Sequence, residues 1–405
     1  MKFSLPSFRR ITNSGNFIPE IDGLRFLAIA LVVLYHLDGF LFKELTSDYK
    51  DNLENYNLLH EIMLHGYFGV EIFFCISAFV VSYPFAKYYL ADGSLIQLKD
   101  YFYRRITRIE PPYIISLLLI LAVHLFLLNG EKMADYIPSF YYSLFYVHGF
   151  FYHRDFQPFV NNVTWSLEIE IQFYILAPLL FYFFFRLKKH GLLILLISTL
   201  LVSMVSKFPK PDLISLYEYF HFFLLGMAIA YMKAKNIKWS ILEQLNIRYS
   251  QEFISGMSFI LMLVMDITFM GPLHTWFKLI VSSFQMFFMF VVFYNLLISA
   301  EKKVWINRNF FTAIGGMCYS IYLFHNQLIV LFGQLLLKGE RSSYFIWDYF
   351  KLSILLTAII LFISSVFFIL IERPCMDKNW PKRLLAFIYR IPFRVKKYLV
   401  NYQNS

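Results

Sequence analysis

Ten mostly apolar runs order this chain: Ile21–Phe42, Tyr67–Phe85, Pro111–Leu128, Glu168–Phe185, Leu192–Ser206, Tyr217–Met232, Phe253–Met270, Leu279–Ser299, Ile314–Leu337 and Lys351–Ile371. A helix needs about 20 such residues to cross hydrocarbon, so the pattern predicts an all-α integral membrane protein of about ten transmembrane helices. An even number of spans puts both termini on one side. Leu192–Ser206 is short and has little room to tilt. The stretch Ser139–Tyr152 is aromatic but interrupted by His148 and Gly149, and reads as an interfacial segment rather than an eleventh span.

The charges between the runs orient the chain. With the N-terminus cytoplasmic, the alternate segments on that side collect 27 of the 37 Lys and Arg residues. The first outer loop, Lys43–Gly66, carries five carboxylates against two lysines. Both termini are therefore expected in the cytoplasm. Arg9 and Arg10 precede an apolar stretch as in a secretory signal, and Ala28 and Ala30 form a small-x-small pair. The run continues past them through Leu37, so it reads as an uncleaved first helix. The expected organisation is a cytoplasmic segment 1–17, one membrane domain 18–374, and a basic cytoplasmic tail 375–405 too short for a second domain.

Composition agrees. Hydrophobic residues make up 59% and charged residues 16% of the 405, where soluble domains hold roughly 45–50% and 25%. The net charge of +10 lies in short clusters between apolar runs, which excludes nucleic acid as a partner. Cys75, Cys318 and Cys375 are odd in number and irregular in spacing, so neither a disulfide framework nor a metal site is expected.

Ionisable groups at membrane depth are costly and are functional candidates for that reason. His36 lies 11 residues after Arg25, roughly 16 Å along a helix. An imidazole there suits a general base, or a structural histidine bonded to a neighbouring helix. Arg104 and Arg108 share one helical face with Arg105 close by, a grouping that suits phosphates or anionic lipid heads. Pro111 and Pro112 are expected to end that helix and open the third span. Glu168 and Glu170 face opposite ways on a helix, and Glu170 shares its face with Ser166, Phe173 and Tyr174, making it the inward carboxylate. Helix capping is the other reading of these acids. Tyr319, Ser320, Tyr322 and His325 are too polar together for a lipid-facing helix; His325 is either catalytic support or a packed polar residue.

Taken in order, these segments resemble acyltransferase family 3, the multi-spanning membrane acyltransferases that O-acylate polysaccharides and other extracytoplasmic molecules. Arg25 followed by His36 is similar to the family's Arg-x10-His signature. Phe68–Phe79 resembles its second-helix motif, Arg104–Arg108 its Arg-x-x-Arg segment, Trp165–Glu170 with Tyr174 its Trp-Ser-Leu-x-x-Glu segment, and Tyr319–His325 its Tyr-Ser-x-Tyr-Leu-x-His pattern. Glu372-Arg-Pro374 is a typical ending. Phe26 and Ala78 stand where the family commonly has Gly, and Glu110 beside the arginines is unusual.

The resemblance implies an acyl-CoA donor, most often acetyl-CoA, as co-substrate, and no bound cofactor or metal. It implies that Arg25, Arg104, Arg105 and Arg108 hold the donor and that His36 works at the thioester, as a base or as a transient acyl carrier. Glu170 would orient that histidine or the acceptor. Trp165, Ser166, Tyr174, Tyr319 and His325 are the expected acceptor contacts. The implied acceptor is a glycan or lipid-linked sugar outside the cytoplasm, and the implied setting is the bacterial cell membrane. Ten helices with intramembrane His and Glu also suit a secondary transporter of a glycan or small polar molecule, although no paired half-repeats are visible.

Overall fold

The computed structural model describes residues 10–11, 17–46, 57–127, 133–153, 156–206, 212–269, 275–299, 304–339, 342 and 344–386. Most of the expected N-terminal segment, the acidic stretch 47–56 and the tail beyond residue 386 lie outside them. All regular structure among the described residues is helical: α1 (Pro19–Thr46), α2 (Asn57–Leu64), α3 (Phe68–Leu90), α4 (Leu98–Leu127), α5 (Met133–Leu144), α6 (His148–Phe151), α7 (Trp165–Arg186), α8 (Gly191–Val205), α9 (Leu216–Lys235), α10 (Ser240–Tyr249), α11 (Gln251–Phe269), α12 (Thr275–Leu297), α13 (Asn309–Gly316), α14 (Cys318–Leu336), α15 (Phe345–Phe367) and α16 (Arg373–Cys375).

Among the described residues, seven helical segments are long and apolar enough to cross a membrane, and the pair α13–α14, bent by 70°, makes up to eight. The two remaining apolar runs fall on α9 and α11. Helix α11 is apolar over the shorter length Gln251–Met265. Helix α9 is buried on every side from His221 to Met232. Enclosed by other helices instead of lipid, it can carry Glu218 and His221 in its first turns.

Two apolar clusters hold the bundle together. One joins α3, α7, α9 and α12 around Phe79, Phe173, Phe181, Phe223 and Phe293. The other joins α1, α4, α14 and α15 around Leu41, Tyr113, Leu323 and Phe368. Where helices meet most closely the sequence supplies glycine. A Cβ on Gly226 would clash with the Cys75 carbonyl, and one on Gly315 with that of Asp22. The two departures from the family pattern pack in these places: Ala78 lies against Gly226, and Phe26 against Phe311 at a ring separation of 4.7 Å.

The proline pair does not end a helix. Helix α4 runs unbroken through Pro111 and Pro112, so the arginine segment and the third span are one element. Pro111 lacks the N–H that would bond the Thr107 carbonyl. The Trp380 indole N–H donates to that carbonyl instead, at 2.8 Å, so the freed acceptor is satisfied and the helix continues. The aromatic stretch 139–152 forms α5, α6 and their link, with Ser139, Ser143 and His148 buried.

Candidate active site

Arg25, Arg105 and Arg108 converge from α1 and α4 on one cavity of about 140 Å³. Across it, α7 contributes Ser166, Glu170 and Tyr174, α3 contributes Ser77, and α14 contributes Tyr319 and Tyr322. The helical period explains this sidedness: Glu170 and Tyr174, a turn apart, face the cavity. Glu168 points away, where its carboxylate accepts from the Gly149 N–H at 3.1 and 3.2 Å.

The same three arginines also line a larger opening of about 580 Å³, joined there by Arg104, Lys87 and Lys378. The two spaces therefore share a wall of guanidinium groups. Asp22 positions that wall from α1: its Oδ1 pairs with Arg25 at 2.7 Å and with Arg10 at 3.3 Å. Arg105 stacks its guanidinium over Tyr174, 5.3 Å from the ring centre. Arg104 donates to the Asp100 carbonyl at 3.0 Å and stays at the outer rim. Planar guanidiniums gathered at a mouth suit bidentate binding of phosphates.

Deeper in, Ser77 and Tyr174 both hydrogen-bond Glu170 Oε1 through their hydroxyls. The Tyr319 hydroxyl donates to the Ile109 carbonyl at 3.1 Å, tying α14 to the arginine segment. The Tyr322 hydroxyl gives its proton to the Val163 carbonyl at 2.7 Å, which leaves Ser166 as the donor in the 2.6 Å bond between the two hydroxyls. Glu110 accepts from Tyr146 at 3.2 Å, not from the neighbouring arginines.

His36 lies beyond this wall. Its ring is 4.9 Å from that of His325, which in turn is 5.7 Å from Tyr322. His325 Nδ1 lies 2.8 Å from the Tyr322 carbonyl. A carbonyl only accepts, so the neutral ring carries its proton on Nδ1 and leaves Nε2 as a bare lone pair. That buried Nε2 has no hydrogen-bond partner. Two histidines are thus brought together from α1 and α14, whereas Glu170 is held by Ser77 and Tyr174 on the arginine side. Trp165, next to Ser166, faces away from the cavity and packs on Tyr219 at 5.4 Å.

Sequence reasoning did not single out Ser77, Arg10 or Glu372 as site residues, and named Tyr322 only among the polar groups that its helix cannot present to lipid. Glu372 sits on the cavity wall, and its Oε2 accepts from both the N–H and the hydroxyl of Ser320, at 3.0 and 2.5 Å. The Glu-Arg-Pro ending was its available signal.

Comparison with known proteins gives this geometry a context. No solved structure matches the chain. O-acetyltransferase OatA of Staphylococcus aureus strain NCTC 8325 is 24% identical over 405 residues, covering 94% of this chain and 61% of OatA. The OatA of strain COL gives the same figures. A further protein of strain COL, whose name assigns it O-acetyltransferase activity only provisionally, is 28% identical over 173 residues, covering 40% of this chain and 24% of its own. The chain thus spans under two thirds of the length of these relatives. A family described as an acyltransferase domain matches residues 18–372, and the chain belongs to that family, acyltransferase family 3.

Proposed function

We propose that this protein is an O-acetyltransferase of the bacterial cell membrane that moves an acetyl group from cytoplasmic acetyl-CoA to a hydroxyl of an extracytoplasmic glycan or lipid-linked sugar. The observation that carries this reading is the cavity that joins Arg25, Arg105 and Arg108 at its mouth to Ser166, Glu170 and Tyr174 inside. The proposal places both termini in the cytoplasm, counts ten spans by including α9 and α11, and takes residues 18–374 as the catalytic domain between segment 1–17 and the basic tail 375–405.

In this account the four arginines hold the CoA phosphates and the acyl-pantetheine arm reaches into the cavity. The acceptor hydroxyl oxygen attacks the thioester carbonyl carbon; the C–O bond forms as the C–S bond breaks. The hydroxyl proton passes to His36, and from there to the departing sulfur, which leaves as CoA thiol. His325, whose ring lies edge-on 4.9 Å from that of His36, holds the basic imidazole in position. Glu170 orients Ser77 and Tyr174 beside Arg105. Trp165, Ser166, Tyr174 and Tyr319 shape the path between donor and acceptor.

The test is transfer of label from radioactive acetyl-CoA to envelope glycan in membranes. Removing a general base costs about 10²–10⁴-fold, so His36→Ala is expected to reduce transfer by that factor. Arg108→Ala is expected to raise the KM for acetyl-CoA roughly tenfold through loss of a charged hydrogen bond. Transfer indifferent to both substitutions overturns the reading.

A further inference from the structure

A second cavity, about 520 Å³, lies between α3, α7, α9 and α12, at the opposite end of the helices from the arginine mouth. Along α3, Glu71 lines this cavity and Lys87 lines the mouth, 16 residues apart, or roughly 24 Å of helix. We infer that it is the acceptor site and that its ligand is an uncharged pyranose ring. This deepens the acyl-transfer reading and rests on it.

The lining is polar in a way that lipid contact does not explain. Glu71, Glu218, His221 and Gln285 face the cavity beside Lys278 and Ser282, and Glu218 and His221 are buried. Ionisable groups at this depth are kept where they bind something. Trp165 supplies the complementary surface, continued by Tyr219 packed 5.4 Å from it. A pyranose has apolar C–H faces that lie on aromatic rings and hydroxyls that donate to carboxylate and amide oxygens. The volume suits one or two such rings.

Charge and position separate this ligand from the donor. The two carboxylates, Glu71 and Glu218, outnumber the single lysine and disfavour a phosphorylated or otherwise anionic ligand. The arginines are confined to the other end. Val70 lines both this cavity and the reaction cavity, Phe74 lines the latter, and Ser166 follows Trp165 in sequence. A ring seated on Trp165 therefore has only the Val70 wall between its edge and the acyl group.

The experiment uses the full chain in sealed right-side-out membranes. In Lys278→Cys, a membrane-impermeant maleimide is expected to label the new thiol from the outer face. N-acetylglucosamine is expected to slow that labelling several-fold, and glucose 6-phosphate at the same concentration is not. A thiol that is not labelled, or one that both sugars protect equally or neither protects, overturns the site. In a transfer assay with N-acetylglucosamine as acceptor, Glu218→Gln is expected to raise the acceptor KM about tenfold and leave that for acetyl-CoA unchanged. An effect on acetyl-CoA alone, or none, overturns the site while transfer itself stands. If the unaltered protein transfers nothing, the acyl-transfer reading fails, and protection by the sugar still decides the site.

Discussion

Ser320 donates twice to Glu372, and its N–H belongs to the first turn of α14, where no intrahelical acceptor exists. The carboxylate ending the π turn Phe368–Glu372 thus caps a helix that starts directly after a sharp bend. Glu372→Ala leaves two buried donors unsatisfied, at about 1–3 kcal/mol each. The thermal midpoint of the detergent-solubilised protein is expected to fall clearly, and Glu372→Gln, which keeps an acceptor, to recover part of the loss. His148, outside the spans, stacks on Tyr152 at 4.4 Å, and burial pushes its pKa down from 6.5 to about 4. Above pH 6.5 the ring is neutral whether folded or unfolded, and its contribution is fully present. Between pH 6.5 and 4 the unfolded chain takes a proton that the folded one refuses, so stability falls with pH. His148→Gln is expected to flatten the pH dependence of the midpoint across that window. At this scale the sequence was partly legible: a rotation of about 100° per residue is enough to turn Glu170 inward and Glu168 away. Ser77 was not, because a serine in an apolar run carries no sign of the carboxylate on another helix that it will meet.

Helices approach where glycine permits. Gly315→Ala would push a methyl into the Asp22 carbonyl and disturb the residue that positions Arg25. Overpacking costs roughly 1–3 kcal/mol or more, so a poor yield of monodisperse protein is expected by fluorescence-detected size exclusion. Gly39 on α1 has nothing within 4 Å of an added Cβ, and Gly39→Ala is expected to be neutral or to stabilise by about 0.5–1 kcal/mol through helix propensity. Apolar runs revealed most helices because hydrocarbon demands a continuous stretch. Local rules failed where tertiary contacts override them. Trp380 compensates for Pro111 in α4 across 273 positions of sequence, and enclosure lets α9 keep charge that a lipid-facing span would not carry.

The molecule as a whole is organised from end to end. Guanidiniums gather at one end of the bundle, a carboxylate- and aromatic-lined cavity lies toward the other, and a small cavity sits between them. The motifs were legible as separate segments, and so was their class of chemistry. Which of them meet was not: His36 joins His325, and Glu170 joins Ser77 and Tyr174, through helix packing that spacing alone does not encode. This arrangement predicts that donor and acceptor are used from opposite faces. The most direct measurement places radiolabelled acetyl-CoA on the cytoplasmic face of sealed vesicles that enclose glycan acceptor. Labelled glycan in the lumen, CoA released outside, and loss of both in His36→Ala are expected. Labelling that requires acetyl-CoA in the lumen, or that persists in His36→Ala, would contradict transfer by His36 between opposite faces.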